Sequence, residues 1–142
     1  MPTITPWINF NGNAEEAFNF YKSVFGGEFT KVTRFKDIAT SEFPVADADA
    51  NKLMQITLPI GNGHMLIGND VPTFMGKVSE HENRSKIHVG VDNKEEAEKI
   101  FNGLSVGGQI EAQSGDNAEE TYFGMFRDTY GIEWVVEYNS SN

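Results

Sequence analysis

The amino-acid sequence repeats itself once, over a spacing of about 80 residues. Residues 13–17 read NAEEA, and residues 93–97 read NKEEA. The apolar positions that follow also correspond, and each copy closes on a glycine pair, at 26–27 and at 107–108. A long spacing that occurs only twice indicates a duplicated module, because solenoid proteins need at least three repeats.

Each copy of the repeat predicts a helix between strands. In the first copy Asn13 is the expected N-cap, and Glu16 is placed to complete a capping box. Gly26 is the expected end of this helix, because glycine readily adopts the left-handed conformation that stops a helix. In the second copy Asn93 and Gly107 hold the corresponding positions.

Strands are predicted from apolar alternation and from the turn residues between them. They cover 4–10, 28–35, 53–59 and 64–68 in the first copy, and 86–91, 109–112, 121–127 and 132–138 in the second. Gly61-Asn62-Gly63 predicts a tight hairpin. The polar residues 36–52 are expected to form a surface loop, and residues 69–85 a linker.

These elements predict the α+β class, with residues 1–142 as a single domain made of two β-α-β-β-β modules. The modules span residues 1–70 and 86–142. One face of each sheet is expected to pack on its helix and the other to stay uncovered. Two modules side by side would join the uncovered faces into a curved mixed sheet that forms a trough. Trough-shaped pockets are common sites for small-molecule ligands.

Composition argues against several classes of partner. The net charge of −10 and the sequence pI of about 4.6 disfavour nucleic acid and anionic membrane surfaces, because like charges repel. The absence of cysteine excludes disulfides and thiolate chemistry. No basic and apolar leader opens the sequence, and its apolar runs are far shorter than the ~20 residues that span a bilayer. A cytoplasmic protein is expected.

Motifs at both ends of the sequence resemble a known family. The motifs are FNGNAEEA at 10–17, FY at 20–21, VFGG at 24–27, YFGM at 122–125, Asp128, Tyr130-Gly131 and Trp134. Together they resemble the PhnB-like group of the vicinal oxygen chelate (glyoxalase/bleomycin-resistance/dioxygenase) superfamily. The resemblance implies a glyoxalase/bleomycin-resistance-like fold, a homodimer and, in many enzyme relatives, a metal-centred pocket.

The resemblance also locates the four metal-ligand positions of those enzymes on this sequence. They fall at Pro6, Gly68, Lys86 and Val135. None of these side chains is suited to a divalent cation, since proline, glycine and valine have no donor and lysine brings a positive charge. The usual metal of the superfamily is therefore expected to be absent.

Some PhnB-like proteins carry a label as demethylubiquinone methyltransferases. Such chemistry requires a site for S-adenosylmethionine, for which a Gly-rich loop from a strand to a helix would be the sequence signal. The glycine pairs at 26–27 and 107–108 follow helices and do not precede them. The sequence therefore gives this label no support.

The first candidates for a ligand site lie close to the vacated metal positions. His88 and Glu137 each stand two residues beyond one of these positions, so alternation along a strand puts them on the same faces. His64 and Glu133 share this parity with their own vacated positions. One interpretation is a displaced divalent-metal site at His88, Glu137 and His64. The other is a pocket of hydrogen-bonded polar side chains.

Further side chains are candidates for contacts with a small molecule. Gln55 interrupts an apolar strand, where an amide either addresses a ligand or satisfies a neighbouring strand. Arg127 either holds an anionic ligand group or pairs with a nearby acid, Asp128 or Glu133. The apolar walls of the trough are expected to come from Phe123, Met125, Trp7 and Trp134. The alternative is that these side chains only pack in the core.

Two functions of different classes follow from these observations. The first is a protein without cofactor or metal that binds a small apolar or aromatic molecule in the trough. The second is a lyase- or dioxygenase-like enzyme in which a displaced metal acts as a Lewis acid and Glu133 moves a proton. The unsuitable ligand positions favour the first function. No catalytic residue is assigned.

Overall fold

A computed structural model describes residues 3–42, 44–80, 84–113 and 121–139 of the chain. The chain separates into two units, Met1–Val78 and Ser79–Asn142. Each unit contains one four-stranded sheet of mixed direction and one long helix, in the chain order β-α-β-β-β. The predicted α+β class with two such modules is confirmed.

The first unit is built from four strands, one long helix and one short helix. The elements are β1 (Trp7–Phe10), α1 (Ala14–Phe25), β2 (Lys31–Arg34), α2 (Phe35–Ile38), β3 (Leu53–Gly61) and β4 (His64–Asp70). The strand order in the sheet is β1-β4-β3-β2, with β1 parallel to β4. The predicted hairpin joins β3 to β4 through Asn62 and Gly63, whose φ angles are 51° and 79°. Asn-Gly favours such a turn because both residues tolerate positive φ.

Helix α1 covers one face of the first sheet. Its residues Ala17, Phe18 and Tyr21 are fully buried, as are Ile56 and Leu58 on the facing strand β3. The Phe18 ring lies directly against Gly68, where an added Cβ would overlap it. Side chains alternate between the two faces along a strand. Leu58 and Gly68 face the helix, so the residues of β3 and β4 at odd-numbered spacings from them lie on the opposite, helix-free face.

The predicted side-chain cap of α1 by Asn13 is wrong. Asn13 has φ −113° and ψ 24°, and its side chain makes no capping hydrogen bond. The Ala14 N–H instead donates to Asp70 Oδ1 at 2.8 Å, and Asp70 Oδ2 accepts from Leu53 N–H at 2.9 Å. A carboxylate at the end of β4 thus ties the helix N-terminus to the start of β3. In the second unit Asn93 does cap its helix, through the Glu96 N–H at 2.8 Å.

The second unit repeats the order of the first. Its elements are β5 (Ile87–Gly90), α3 (Lys94–Leu104), β6 (Gln109–Gln113), β7 (Thr121–Arg127) and β8 (Glu133–Asn139). The strand order is β5-β8-β7-β6, with β5 parallel to β8. Helix α3 ends at Leu104 with Ser105 as C-cap, before the predicted stop at Gly107. No helix among the described residues is long and apolar enough to span a membrane.

A phenylalanine ring also packs on a glycine in the second unit. The Phe101 ring of α3 lies against Gly124 of β7 and makes an edge contact with Phe126, at 5.1 Å between ring centroids. The β7–β8 turn is held by Asp128, which accepts from Tyr130 N–H at 2.8 Å and from Trp134 Nε1–H at 2.8 Å. Trp134 is therefore a core residue, only 1% exposed.

Residues 36–42 and 44–52 contain more regular structure than the predicted surface loop. They include part of α2 and a 3₁₀ turn, Asp47–Asp49, and Asp49 is only 3% exposed. Asp49 accepts hydrogen bonds from Thr73 N–H and Oγ1–H and forms an ion pair with Lys52 at 3.0 Å. Burial opposes ionisation of this carboxyl, but the contacts with Lys52 and Thr73 outweigh it and lower the pKa of Asp49.

We predict that Asp70→Asn destabilises the protein, because one carboxylate oxygen becomes an NH₂ group that faces a backbone N–H. The loss of one charge-assisted bond in a buried site should reduce the free energy of unfolding by about 2 kcal/mol in urea denaturation. Asp92→Asn, an exposed residue before α3, is the matched control and should change it by less than ~0.5 kcal/mol. Equal effects of the two substitutions would contradict the assigned role of Asp70.

Candidate functional site

The helix-free face of the second sheet carries most of the side chains singled out in the sequence. Tyr122 and Phe126 of β7 contact the Phe101 ring of α3, so Phe123 and Met125 point to the other side. Register across the sheet extends this face through the pairs Phe123–Glu137, Met125–Val135, Arg127–Glu133 and His88–Val135. We call these seven residues the helix-free face of the second unit.

His88 and Glu137 lie side by side at one end of this face. The distance between His88 Nε2 and Glu137 Oε1 is 2.9 Å. Their side chains are 58% and 41% exposed, so both remain accessible to a ligand while they contact each other. The pair supplies a hydrogen-bond donor and an acceptor at one place, because a carboxylate accepts and an imidazole N–H donates.

The middle of the face is apolar. Val135 lies in register between His88 and Met125, and Phe123 pairs with Glu137 on the neighbouring strand. Phe123 is 38% exposed, whereas Val135 is buried. An exposed aromatic ring beside a buried valine offers a ligand an apolar contact within reach of the His88–Glu137 pair.

Arg127 lies at the other end of the face and has acidic and backbone partners. Its Nη1 donates to the Gly131 carbonyl at 2.7 Å, and its Nη2 lies 4.0 Å from Glu133 Oε2. Of the two interpretations of Arg127, its surroundings therefore match the one in which it pairs with a nearby acid, here Glu133. Arg127 and Glu133 are both buried, in contrast to the exposed His88–Glu137 pair.

Glu111 interacts with Glu133 and Arg127, and it was not predicted from the sequence as a site residue. A hydrogen bond with Glu133 raises the pKa of Glu111, and burial and the negative charge of Glu133 act in the same direction. The positive charges of Arg127 and Lys86 oppose this effect. Glu111 falls at a register shift between Ile110 and Ala112. Alternation alone could not have placed it, because a bulge interrupts the period of two.

Gln55 and His64 belong to the first unit. Gln55 lies on the helix-free side of β3, and its Nε2 donates to Thr57 Oγ1 at 3.2 Å. Its amide thus has a partner on its own strand, and not on a neighbouring strand as the second interpretation required. His64 is an exposed residue at the hairpin end of β4, opposite Gly61. Both residues therefore belong to a different unit from His88 and Glu137.

The register of the vacated metal positions needs correction in the first unit. Gly68 faces the Phe18 ring of α1, so it does not lie on the helix-free face. Ile67 and Asn69 lie on that face, together with Trp7, whose indole N–H donates to Asn69 Oδ1 at 2.8 Å. Trp7 is 52% exposed, so core packing does not account for it.

The described donors do not fit the metal centre that the superfamily implies. A protein zinc site uses at least three protein ligands, and His88 with Glu137 supplies two. No group of three or more histidine, aspartate or glutamate side chains suited to a metal exists among residues 3–42, 44–80, 84–113 and 121–139. On the helix-free face Val135 lies between this pair and Met125.

A cavity of about 220 Å³ lies in the first unit, and none of the predicted site residues lines it. It is lined by Asn11, Lys52, Val71, Thr73, Gly76 and Lys77. The side chains of Asn11, Lys52 and Thr73 already bind Val78 and Asp49 within the protein. A ligand in this cavity would have to compete with those contacts.

Comparisons with known proteins agree on a family and a fold. The sequence profile of the family described as 3-demethylubiquinone-9 3-methyltransferase matches residues 2–137. A Pseudomonas aeruginosa protein, PA1353, is 30% identical, with a TM-score of 0.80 and 98% of both chains covered. A Bacillus cereus PhnB protein, named a putative 3-demethylubiquinone-9 3-methyltransferase, is 24% identical, with a TM-score of 0.70 and coverage of 96% of this chain and 99% of that one.

A third similar structure places the fold among the glyoxalases. It is a glyoxylase/bleomycin resistance protein/dioxygenase domain from Frankia, 9% identical over 98% of both chains, with a TM-score of 0.66. At this identity the likeness concerns the fold alone. The glyoxalase/bleomycin-resistance-like fold and the PhnB-like resemblance expected from the sequence are confirmed.

The methyltransferase activity in the family description has no matching cofactor loop in the described residues. The connection from β1 to α1 contains a single glycine, Gly12, and that from β5 to α3 contains none after Gly90. A Gly-rich turn that lets the backbone approach a nucleotide-like cofactor is therefore missing from both connections between a strand and a long helix.

We predict that Glu111→Gln stabilises the protein increasingly as pH rises. The folded state favours protonated Glu111, so this group contributes stability below its ordinary pKa of 4.5 and loses it as pH rises through the higher folded-state value. Glutamine keeps a donor toward Glu133 and does not ionise. Urea denaturation between about pH 4 and pH 8 should therefore show a growing advantage of the variant over the wild type.

Glu42, an exposed residue of the first unit, is the control for this experiment when it is replaced by glutamine. Its effect should be small and nearly independent of pH. A Glu111→Gln effect that stays constant over the same range would contradict the raised pKa of Glu111.

Proposed function

This chain belongs to the PhnB-like family described as 3-demethylubiquinone-9 3-methyltransferase, and we propose that it binds a small apolar or aromatic molecule without a metal. The helix-free face of the second unit is the proposed binding surface. The observation that carries the proposal is the exposed Phe123 ring beside the His88–Glu137 pair, which combines an apolar contact with polar groups. Ligand sites are commonly apolar surfaces with a few well-placed polar groups.

Two further features of this face support a binder. Val135 puts an apolar side chain at a superfamily metal position, and Met125 lies in register with it. Methionine adapts to ligands of different shape, because its side chain is unbranched and its sulfur is polarizable. A flat ring lying on Phe123 and Met125 would bring its polar substituents to His88 and Glu137.

The rival function is a lyase- or dioxygenase-like enzyme with a displaced metal. The observation that favours it is the 2.9 Å contact between His88 and Glu137, since imidazole and carboxylate are both metal-ligand types. His64 was the predicted third ligand and Glu133 the predicted proton carrier. No third donor joins His88 and Glu137 within the described ranges, so we place this function second. The homodimer and the cytoplasmic location stay predictions.

We predict that Phe123→Ala weakens binding of the neutral fluorescent probe N-phenyl-1-naphthylamine. The lost aromatic contact should raise the Kd about fivefold in a fluorescence titration. Ile110→Ala is the matched control, because Ile110 is 52% exposed in the same unit but pairs with Phe126, which faces α3. This control should leave the Kd within about twofold of the wild-type value.

The titration has an outcome that would overturn the proposed surface. If Ile110→Ala weakens the probe as much as Phe123→Ala does, then the probe does not use the helix-free face. If the wild-type protein does not bind the probe at all, the surface is not a site for neutral aromatic molecules.

We also predict that protein purified without chelator contains no stoichiometric divalent metal. Elemental analysis by mass spectrometry measures this directly, on wild type and on His88→Ala. The binder proposal expects less than about 0.1 equivalent of metal in both, because two donors hold a divalent ion weakly. One equivalent in the wild type that disappears in His88→Ala would establish the rival metal site instead.

A further inference from the structure

Lys86 places a positive charge beside the proposed binding surface. It directly precedes β5, and alternation gives it the same parity as His88, which lies on the helix-free face. Its Nζ lies 3.2 Å from Sδ of Met125, one of the residues of that face. The side chain is exposed, so the ammonium is accessible from solvent while its stem lies near the apolar middle of the face.

The other basic side chains of this face lie within 4.0 Å of a carboxylate oxygen, whereas Lys86 lies that close to none among the described residues. His88 contacts Glu137, and Arg127 lies beside Glu133. Within the described ranges Lys86 forms no ion pair, and its one polar contact is the Met125 thioether, a weak acceptor. An ammonium carries three donors, so it can bind an acidic group without giving up a strong internal bond.

We propose that Lys86 makes the helix-free face of the second unit selective for small organic anions, such as aromatic carboxylates or sulfonates. This inference rests on the proposed function and names its ligand class. The apolar body of the ligand would lie on Phe123 and Met125, and its acidic group would bind the ammonium. Lys86 would then supply a positive charge from the protein itself at one of the metal positions of the superfamily.

Acidic side chains around Lys86 limit the strength of such a contact. Glu111 is close enough for Lys86 to lower its pKa, although no ion pair joins them. The largest effect on the pKa of Glu111 comes from Glu133, and Glu133 in turn lies beside Arg127. These carboxylates thus have partners other than Lys86. An exposed charge-assisted contact of this kind contributes modestly, so a several-fold preference is expected and not an absolute one.

A pair of probes with one carbon skeleton tests the inference. The anionic probe 8-anilinonaphthalene-1-sulfonate differs from neutral N-phenyl-1-naphthylamine by its sulfonate. Lys86→Met should raise the Kd of the anionic probe about fivefold and change that of the neutral probe by less than about twofold. Lys86→Arg keeps the charge and should bind the anionic probe within about threefold of wild type.

Lys99→Met is the control for net charge. Lys99 is an exposed residue of α3, on the other side of the same sheet, and its removal changes the charge of the chain equally. It should leave both Kd values unchanged. Equal effects of Lys86→Met and Lys99→Met on the anionic probe would overturn the role of Lys86 in selectivity. The proposed function would still stand in that case if the neutral probe bound normally. Failure of the wild type to bind either probe would overturn both.

Discussion

The contact between the Phe101 ring and Gly124 decides which way the side chains of the second sheet point. The ring lies so close to the strand that any larger residue at this position would overlap it. Because Gly124 faces the helix, alternation along β7 directs Phe123 and Met125 to the opposite side. Val135 and Glu137 pair with these two residues across the sheet, so they lie on that side too. Core packing on one side of the sheet thus positions the candidate binding groups on the other.

In the first unit the Phe18 ring packs on Gly68 in the same way, but the helix-free face there carries different side chains. Its helix-free face carries neutral polar groups, including the Gln55 amide bonded to Thr57 and the Asn69 amide bonded to Trp7. The helix-free face of the second unit carries ion pairs and a carboxyl pair. The duplicated modules have therefore kept one packing solution while their helix-free faces carry different chemistry.

The order of elements could be predicted because the repeat, the glycines and the alternation are local signals. The Asn93 cap and the Asn62-Gly63 turn are confirmed for that reason. Long-range contacts were not predictable in this way. Asp70 replaces Asn13 as the cap of α1, although the two residues are far apart in sequence.

The candidate site was predictable only in part, for the same physical reason. Strand parity brought His88 and Glu137 together correctly as neighbours on one face. The vacated position at Gly68 was assigned to the wrong face, since a register taken from a resemblance carries no information on the Phe18 ring. Glu111 escaped notice because it lies at a register shift, which alternation cannot reveal.

The most direct test of the central claim is to map bound N-phenyl-1-naphthylamine by NMR on the isotope-labelled full chain. The amide signals of Phe123, Met125 and Val135 should shift on addition of the probe, and those of Lys99 and Ile110 should not. Shifts confined to α3 or to the first unit would contradict a ligand site on the helix-free face of the second unit.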